Sequence, residues 1–236
     1  MINNYVALDL ETSGLNPSSD KIIEIGMAKI VDGEITEEYK TLVNPGVHLN
    51  TRITSLTGIS DDMLKGQPYI EDLIEDILQF IGELPLLGHN IIFDYSFLKK
   101  AAVNAKKTFE KEGIDTLKMA RRLLPEVEHK NLDYLCAYFH IDAGNSHRAY
   151  DDAISAKQLY EKLYEVKPED EGFTKTIPLL FQPKKYSPIT PAQKNYLTSL
   201  IAMYQIDFKD DIDNLSKSRA SKLIDGILSE YGIHKK

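Results

Sequence analysis

Val6-Ala7-Leu8-Asp9-Leu10-Glu11-Thr12-Ser13-Gly14 is an apolar, strand-forming run interrupted by two acids and closed by a turn residue. Short apolar runs bounded in this way read as buried strands. Side chains alternate along a strand, so Asp9 and Glu11 point to one face. Two carboxylates side by side on a buried strand repel each other and lose solvation. A bound divalent cation offsets both penalties, and hard ions such as Mg²⁺ and Mn²⁺ prefer such oxygen ligands. A strand end whose Asp and Glu face water gives the same pattern, and this stretch alone does not separate the two.

Two more stretches carry chemistry-bearing residues. His89-Asn90-Ile91-Ile92-Phe93-Asp94-Tyr95-Ser96-Phe97-Leu98 follows a short apolar run at Leu86-Leu87 closed by Gly88. The spacing of Phe93, Phe97 and Leu98 predicts a helix from about 92, with Asp94 in its first turn. An acid there is also favoured by the helix dipole alone. His89 and Asn90 lie in the preceding loop, where they either reach a ligand or serve as surface and capping residues. The third stretch is His147-Arg148-Ala149-Tyr150-Asp151-Asp152-Ala153. Ala149, Ala153, Ala156, Leu159, Tyr160 and Leu163 form the apolar face of a helix over 149–165. Asp152 falls in its first turns and His147 in the loop before it. An imidazole, with an ordinary pKa of about 6.5, is suited to take a proton from water near neutral pH. Acids at a helix N-terminus are nonetheless common without any such partner.

Together and in this order, the three stretches resemble the DEDDh group of 3′-to-5′ exonucleases, which includes the epsilon proofreading subunit of bacterial DNA polymerase III and ribonuclease T. The likeness covers about residues 4–165. It takes in Ile22-Ile23-Glu24-Ile25-Gly26, similar to the family's second strand, and Leu56-Thr57-Gly58-Ile59, similar to its Thr-Gly-Ile turn. The resemblance implies that Asp9, Glu11, Asp94 and Asp152 ligate two divalent ions, Mg²⁺ or Mn²⁺, and that His147 is the general base. It implies that Leu15 and the phenylalanines pack on terminal bases, with His89 or Asn90 reaching sugar or phosphate. Phe93 is the aromatic expected at the substrate, whereas Phe97 fits the core better. Ser13 stands where the family commonly has a second threonine.

Charge and length narrow the remainder. The chain has 236 residues, 42% of them hydrophobic, and a formal net charge of −8. Such acidity argues against a broad basic surface for phosphates, but not against a nuclease whose metals supply positive charge. The single Cys136 excludes a disulfide within the chain and fits a reducing, cytoplasmic setting. No apolar run approaches membrane-spanning length, and the N-terminus lacks signal-peptide character.

Strand-like runs at 4–10, 22–31 and 35–43 predict an antiparallel meander. Helical patterns follow at 60–64, 70–82, 92–106, 116–124, 131–139 and 149–165, with short strands near 86–87 and 113–114. The expected fold is α/β: a ribonuclease H-like mixed five-stranded sheet flanked by helices, as the resemblance implies, plus a small C-terminal helical appendage. The expected division is an exonuclease domain over 1–167, a linker over 168–188 and a helical module over 189–236. Gly172 to Ile206 contains no acid but holds Lys175, Lys184, Lys185 and Lys194. Thr190-Pro191 reads as a helix start, with Leu197, Leu200 and Ile201 inward, and a second helix is expected from Ser216 with Leu223, Ile224 and Ile227 inward.

The expected activity is metal-dependent 3′-to-5′ hydrolysis of nucleic acid with a free, single-stranded or frayed DNA 3′ end, releasing nucleoside 5′-monophosphates. A DNA polymerase is the second expected partner. The alternatives are an RNA-trimming exoribonuclease of the same fold and a non-catalytic nucleic-acid or polymerase-binding module.

Overall fold

A computed structural model describes residues 1–144, 146–183 and 187–231. Three strands, β1 (Tyr5–Thr12), β2 (Ile22–Val31) and β3 (Glu34–Leu42), form the expected meander, antiparallel throughout. β4 (Leu86–Gly88) and β5 (Glu112–Asp115) then add in parallel beside β1. The order is β3-β2-β1-β4-β5-β6 among the described residues, so the sheet has six strands rather than five. The sixth, β6 (Ile177–Pro178), pairs antiparallel with β5 inside the stretch read as an extended linker. Four prolines between 172 and 191 gave that stretch its linker signature, yet two residues suffice for an edge strand, where proline is tolerated. Phe173 is fully buried against Tyr160, and Leu179 is 2% exposed in the opposite core. A domain edge at 167 therefore cuts through the packed body. Lys184 and Lys185 lie outside the described residues.

Helices cover both faces. α1 (Thr51–Thr57), α2 (Asp61–Leu64), α3 (Ile70–Ile81) and α4 (Ile92–Asn104) precede β5; α5 (Thr116–Leu123), α6 (Leu132–Phe139) and α7 (Ala149–Val166) follow it. Strand alternation divides the core. Val6, Leu8 and Leu10 pack with Ile74, Ile77 and Leu98 on one side; Tyr5 and Ala7 pack with Leu159, Tyr160 and Leu163 on the other. Every apolar residue expected inward on α7 is buried, as is Cys136 on α6. α1 escaped the sequence reading because it is short and ends at the Thr57-Gly58 turn, where Gly58 adopts φ 71°.

α8 (Pro191–Tyr204) starts from a capping box between Thr190 and Gln193, and α9 (Lys217–Tyr231) packs against it through Leu197, Leu200, Ile224 and Ile227. Polar contacts join the pair to the exonuclease body: the His48 N–H donates to Asp210 at 3.0 Å, and Lys222 Nζ donates to Ser19 at 3.2 Å.

Candidate active site

β1 continues the Tyr5 and Ala7 face with Asp9 and Glu11, and this is the face that α7 covers. The first turn of α7 lies directly on β2 because Gly26, opposite Asp9 in the ladder, has no side chain. A Cβ at Gly26 would stand 2.1 Å from the Tyr150 nitrogen. That close approach carries Asp152 over the β1 acids. α4 brings Asp94 from the other direction; its carboxylate accepts the Leu10 N–H at 3.1 Å and is 3% exposed. Asp152 accepts the His147 N–H at 3.1 Å. Ligand atoms of Glu11, His147 and Asp152 all lie within 4.8 Å of one another.

The electrostatics are those of unneutralised acids. Burial, then the charges of Asp94, Asp152, Glu11 and Glu24, pushes Asp9 well above the ordinary carboxylate range. Burial likewise raises Asp94 well above it, against the opposing Leu10 hydrogen bond. Glu11 rises to about 7, through burial and then the charge of Asp152, and Asp152 to about 6, mainly through burial. Among the described residues no lysine or arginine forms an ion pair with any of the four. The charge of Arg148, which is paired with Glu24, opposes the rise at Glu11. A cluster of hard oxygen donors that repel each other, with no direct ion pair among the described residues, fits divalent ions. The same group raises the affinity for protons, so ions and protons compete there.

The remaining expected residues are distributed around this cluster. His147 has φ 66°, a left-handed backbone that an L-histidine adopts only under constraint. Leu15 is 85% exposed on the loop after β1. Phe93 is half-buried with its ring centroid 5.1 Å from that of Phe97, which is core, as expected. Asn90 is exposed on the loop before α4, with φ 72°, and its N–H donates to Asp115 at 3.2 Å. His89 differs from expectation. Its Nδ1 pairs with Thr116 Oγ1 at 2.9 Å and its Nε2 with the Lys130 carbonyl at 2.7 Å, so both ring nitrogens bind protein. Burial pushes its pKa down. Here His89 ties the loop before α4 to α5 and does not offer a donor to substrate.

Glu24 and Arg148 were not singled out from the sequence. Glu24 sits on β2 opposite Glu11, and its carboxylate takes both Arg148 Nε (3.0 Å) and Nη2 (2.6 Å). Its second oxygen also accepts the Ala149 N–H at 3.1 Å, an orphan donor at the start of α7. The visible signal was a charged residue inside the apolar run 22–25.

Comparison with known proteins agrees with this geometry. The family model described as "Exonuclease" matches residues 6–160. "DNA polymerase III PolC-type" of Clostridium perfringens is 32% identical over 239 residues, covering 96% of this chain and 16% of that protein. "DNA polymerase III subunit epsilon" of Aquifex aeolicus is 33% identical over 162 residues, covering 68% of this chain and 80% of that one. The chain thus spans about a sixth of the PolC-type relative's length. Among solved structures, Exonuclease X in complex with 5′ overhanging duplex DNA superposes with a TM-score of 0.58 at 25% identity, over 70% of this chain and 94% of that one. Three motifs that converge on one acid cluster, inside a matched span of 6–160, make the chain a member of the exonuclease family.

Proposed function

We propose that this chain is a 3′-to-5′ exonuclease that uses two Mg²⁺ or Mn²⁺ ions, held by Asp9, Glu11, Asp94 and Asp152, to release nucleoside 5′-monophosphates from single-stranded or frayed DNA ends. The observation that carries this reading is the cluster of four mutually repelling carboxylates, none in a direct ion pair with a lysine or arginine among the described residues, with the His147 ring beside Glu11 and Asp152. Bound divalent ions activate water and stabilise charge on the leaving oxygen. The protein's own part is positional. His147 takes a proton from water as the water oxygen attacks phosphorus and the bond from phosphorus to the 3′ oxygen breaks; solvent protonates the departing 3′ oxygen to give the new 3′-hydroxyl. Leu15 and Phe93 offer apolar surface to the terminal bases, where contact with the base face is tolerant of sequence. Asn90, exposed on the loop before α4, is the residue to which we assign the contact with sugar or phosphate.

The relatives' names make a DNA polymerase the protein partner to test. Among the described residues no helix is long and apolar enough to cross a membrane. The decisive experiment digests 5′-labelled single-stranded DNA, duplex DNA with a mismatched 3′ end, fully paired duplex and RNA, with Mg²⁺, with Mn²⁺ and with EDTA. The expected result is stepwise shortening of the first two substrates, slower attack on paired ends and none in EDTA. Faster attack on RNA than on DNA would transfer the reading to an exoribonuclease. Full activity in EDTA, or shortening from the 5′ end, would overturn it.

A further inference from the structure

One row of the sheet runs beneath the first turn of α7. Asp9 on β1 faces Gly26 on β2, and Gly26 faces Lys40 on β3. Residues directly opposite each other in antiparallel ladders share a face, so Lys40 stands on the face that carries Asp9 and Glu11. The middle of the row is smooth. Gly26 has no side chain, and Ala28, the next residue of β2 on that face, has only a methyl group. The Tyr150 backbone rests there. Interdigitating side chains are what ordinarily fix a helix on its neighbour. A contact with glycine allows close approach but has no knob to oppose sliding.

Two side chains of the turn supply the missing constraints, in different directions. Arg148 reaches along β2 to Glu24, two residues before Gly26. Tyr150, half-buried, reaches across β2 to the edge strand. Its ring lies under the Lys40 ammonium, with Nζ 3.4 Å from the ring centroid, and its hydroxyl meets the Glu38 carboxylate. Glu38 stands opposite Ala28 and pairs with Lys40 at 2.7 Å. Lys40 first and Tyr150 second hold the Glu38 carboxyl below its ordinary range, as befits a shared acceptor. A tether along the strand leaves a helical turn free to move across it, and the tether to β3 removes that freedom. The groups at stake are near. Tyr150 is two residues before Asp152 and three after His147, whose N–H Asp152 holds. A histidine at φ 66° persists only where its surroundings over-determine it.

We infer that Tyr150 is a positioning residue for hydrolysis: through Lys40 and Glu38 it fixes the first turn of α7 across the sheet, and so sets Asp152 and the His147 loop over Asp9 and Glu11. Its importance for turnover rests on the exonuclease reading, but the placement itself does not. The edge strand β3, exposed along most of its length, thereby takes part in a site to which it contributes none of the four carboxylates.

The test uses the full chain, well below its melting temperature. Amide hydrogen exchange reads the first turn without metal or substrate. In Tyr150→Leu the His147 and Asp152 N–H groups, which bond to Asp152 and to the Arg148 carbonyl, should exchange at least about tenfold faster. Those of Leu159 and Leu163, further along α7, should keep their rates. On 5′-labelled single-stranded DNA with saturating Mg²⁺, kcat should fall about tenfold while KM changes by less than about twofold, because the displaced groups act on the reacting phosphate rather than on the strand. Tyr150→Phe keeps a ring under Lys40 and should recover much of the loss. Lys40→Met should lower kcat by itself but add less than about twofold to Tyr150→Leu, since residues in contact are not additive. Unchanged exchange in the first turn, or a lower melting temperature with unchanged kcat, would make Tyr150 a packing residue and overturn the role. Fully additive effects of Lys40→Met and Tyr150→Leu would remove the edge strand from it. Faster exchange in a protein that does not hydrolyse DNA would overturn the exonuclease reading and leave the placement standing.

Discussion

At the scale of single residues, the acid cluster sets both stability and chemistry. A carboxylate whose folded-state pKa is raised holds its proton more tightly in the native state than in the unfolded chain. Its favourable contribution is therefore present below the unfolded value, about 4, and lost as pH rises through the folded value. For Glu11 and Asp152, raised to about 7 and about 6, the loss runs from about pH 4 to about pH 7. The metal-free protein should accordingly melt lower at about pH 7.5 than at about pH 5, and Mg²⁺ should recover much of the difference. Asp9→Asn should flatten this pH dependence in a melting scan and reduce turnover by about 10³-fold or more, the equivalent of the several kcal/mol that a bound ion supplies. A flat melting profile in EDTA would contradict the raised values. His147 permits a sharper comparison. Replacement by alanine should reduce turnover about 10²–10⁴-fold. Replacement by glycine should reduce it equally but melt higher than the alanine variant, since only glycine adopts φ 66° freely. Asp9, Glu11, Asp94 and Asp152 were legible because acids inside apolar strand or helix patterns are costly without a partner. The inward turn of His89 was not legible, because its partners Thr116 and Lys130 are 27 and 41 residues away.

At the scale of elements, the site depends on how α7 is moored. Its helical period was plain in the sequence, but period alone says nothing of what holds the first turn in place. Gly26 admits the α7 backbone and Glu24 fastens it, through Arg148 and the Ala149 N–H. Gly26→Ala should force α7 away, since the clash at 2.1 Å is with backbone rather than with a flexible side chain. Activity and melting temperature should fall together, and retention of both would refute the close approach. Glu24→Ala leaves the Ala149 donor unsatisfied, at about 1–3 kcal/mol. Melting temperature should drop accordingly, with a larger proportional loss in kcat than in KM if the moved group is His147 rather than the substrate wall. Glu24→Gln, which can still accept from Ala149, should recover part of the stability.

At the scale of the whole molecule, the alternation of strand and helix patterns made the layered α/β architecture readable from residue 5 to residue 166. The end of the packed body was not readable, because it depends on long-range contacts that composition cannot report. Phe173→Ala should destabilise by about 3–5 kcal/mol, as for other buried aromatics; a loss below about 1 kcal/mol would show that the contact with Tyr160 is dispensable. Truncation after Gln182 should preserve the sheet and test the appendage separately, whereas truncation after Lys167 removes Phe173, β6 and Leu179 together. The two-residue strand β6 has a consequence for the company the protein keeps. A sheet grows by recruiting any chain that finds a free row of peptide groups. One border of this sheet is β3, whose Glu34, Glu37, Glu38 and Lys40 make it an unwelcoming template. The other would be β5, short and parallel, with Gly113 and Ile114 at its centre. Ile177 and Pro178 occupy that border, and a proline has no N–H with which to extend the ladder to another copy. Chains cut after Lys167 should therefore scatter light at concentrations where chains cut after Gln182 remain monomeric.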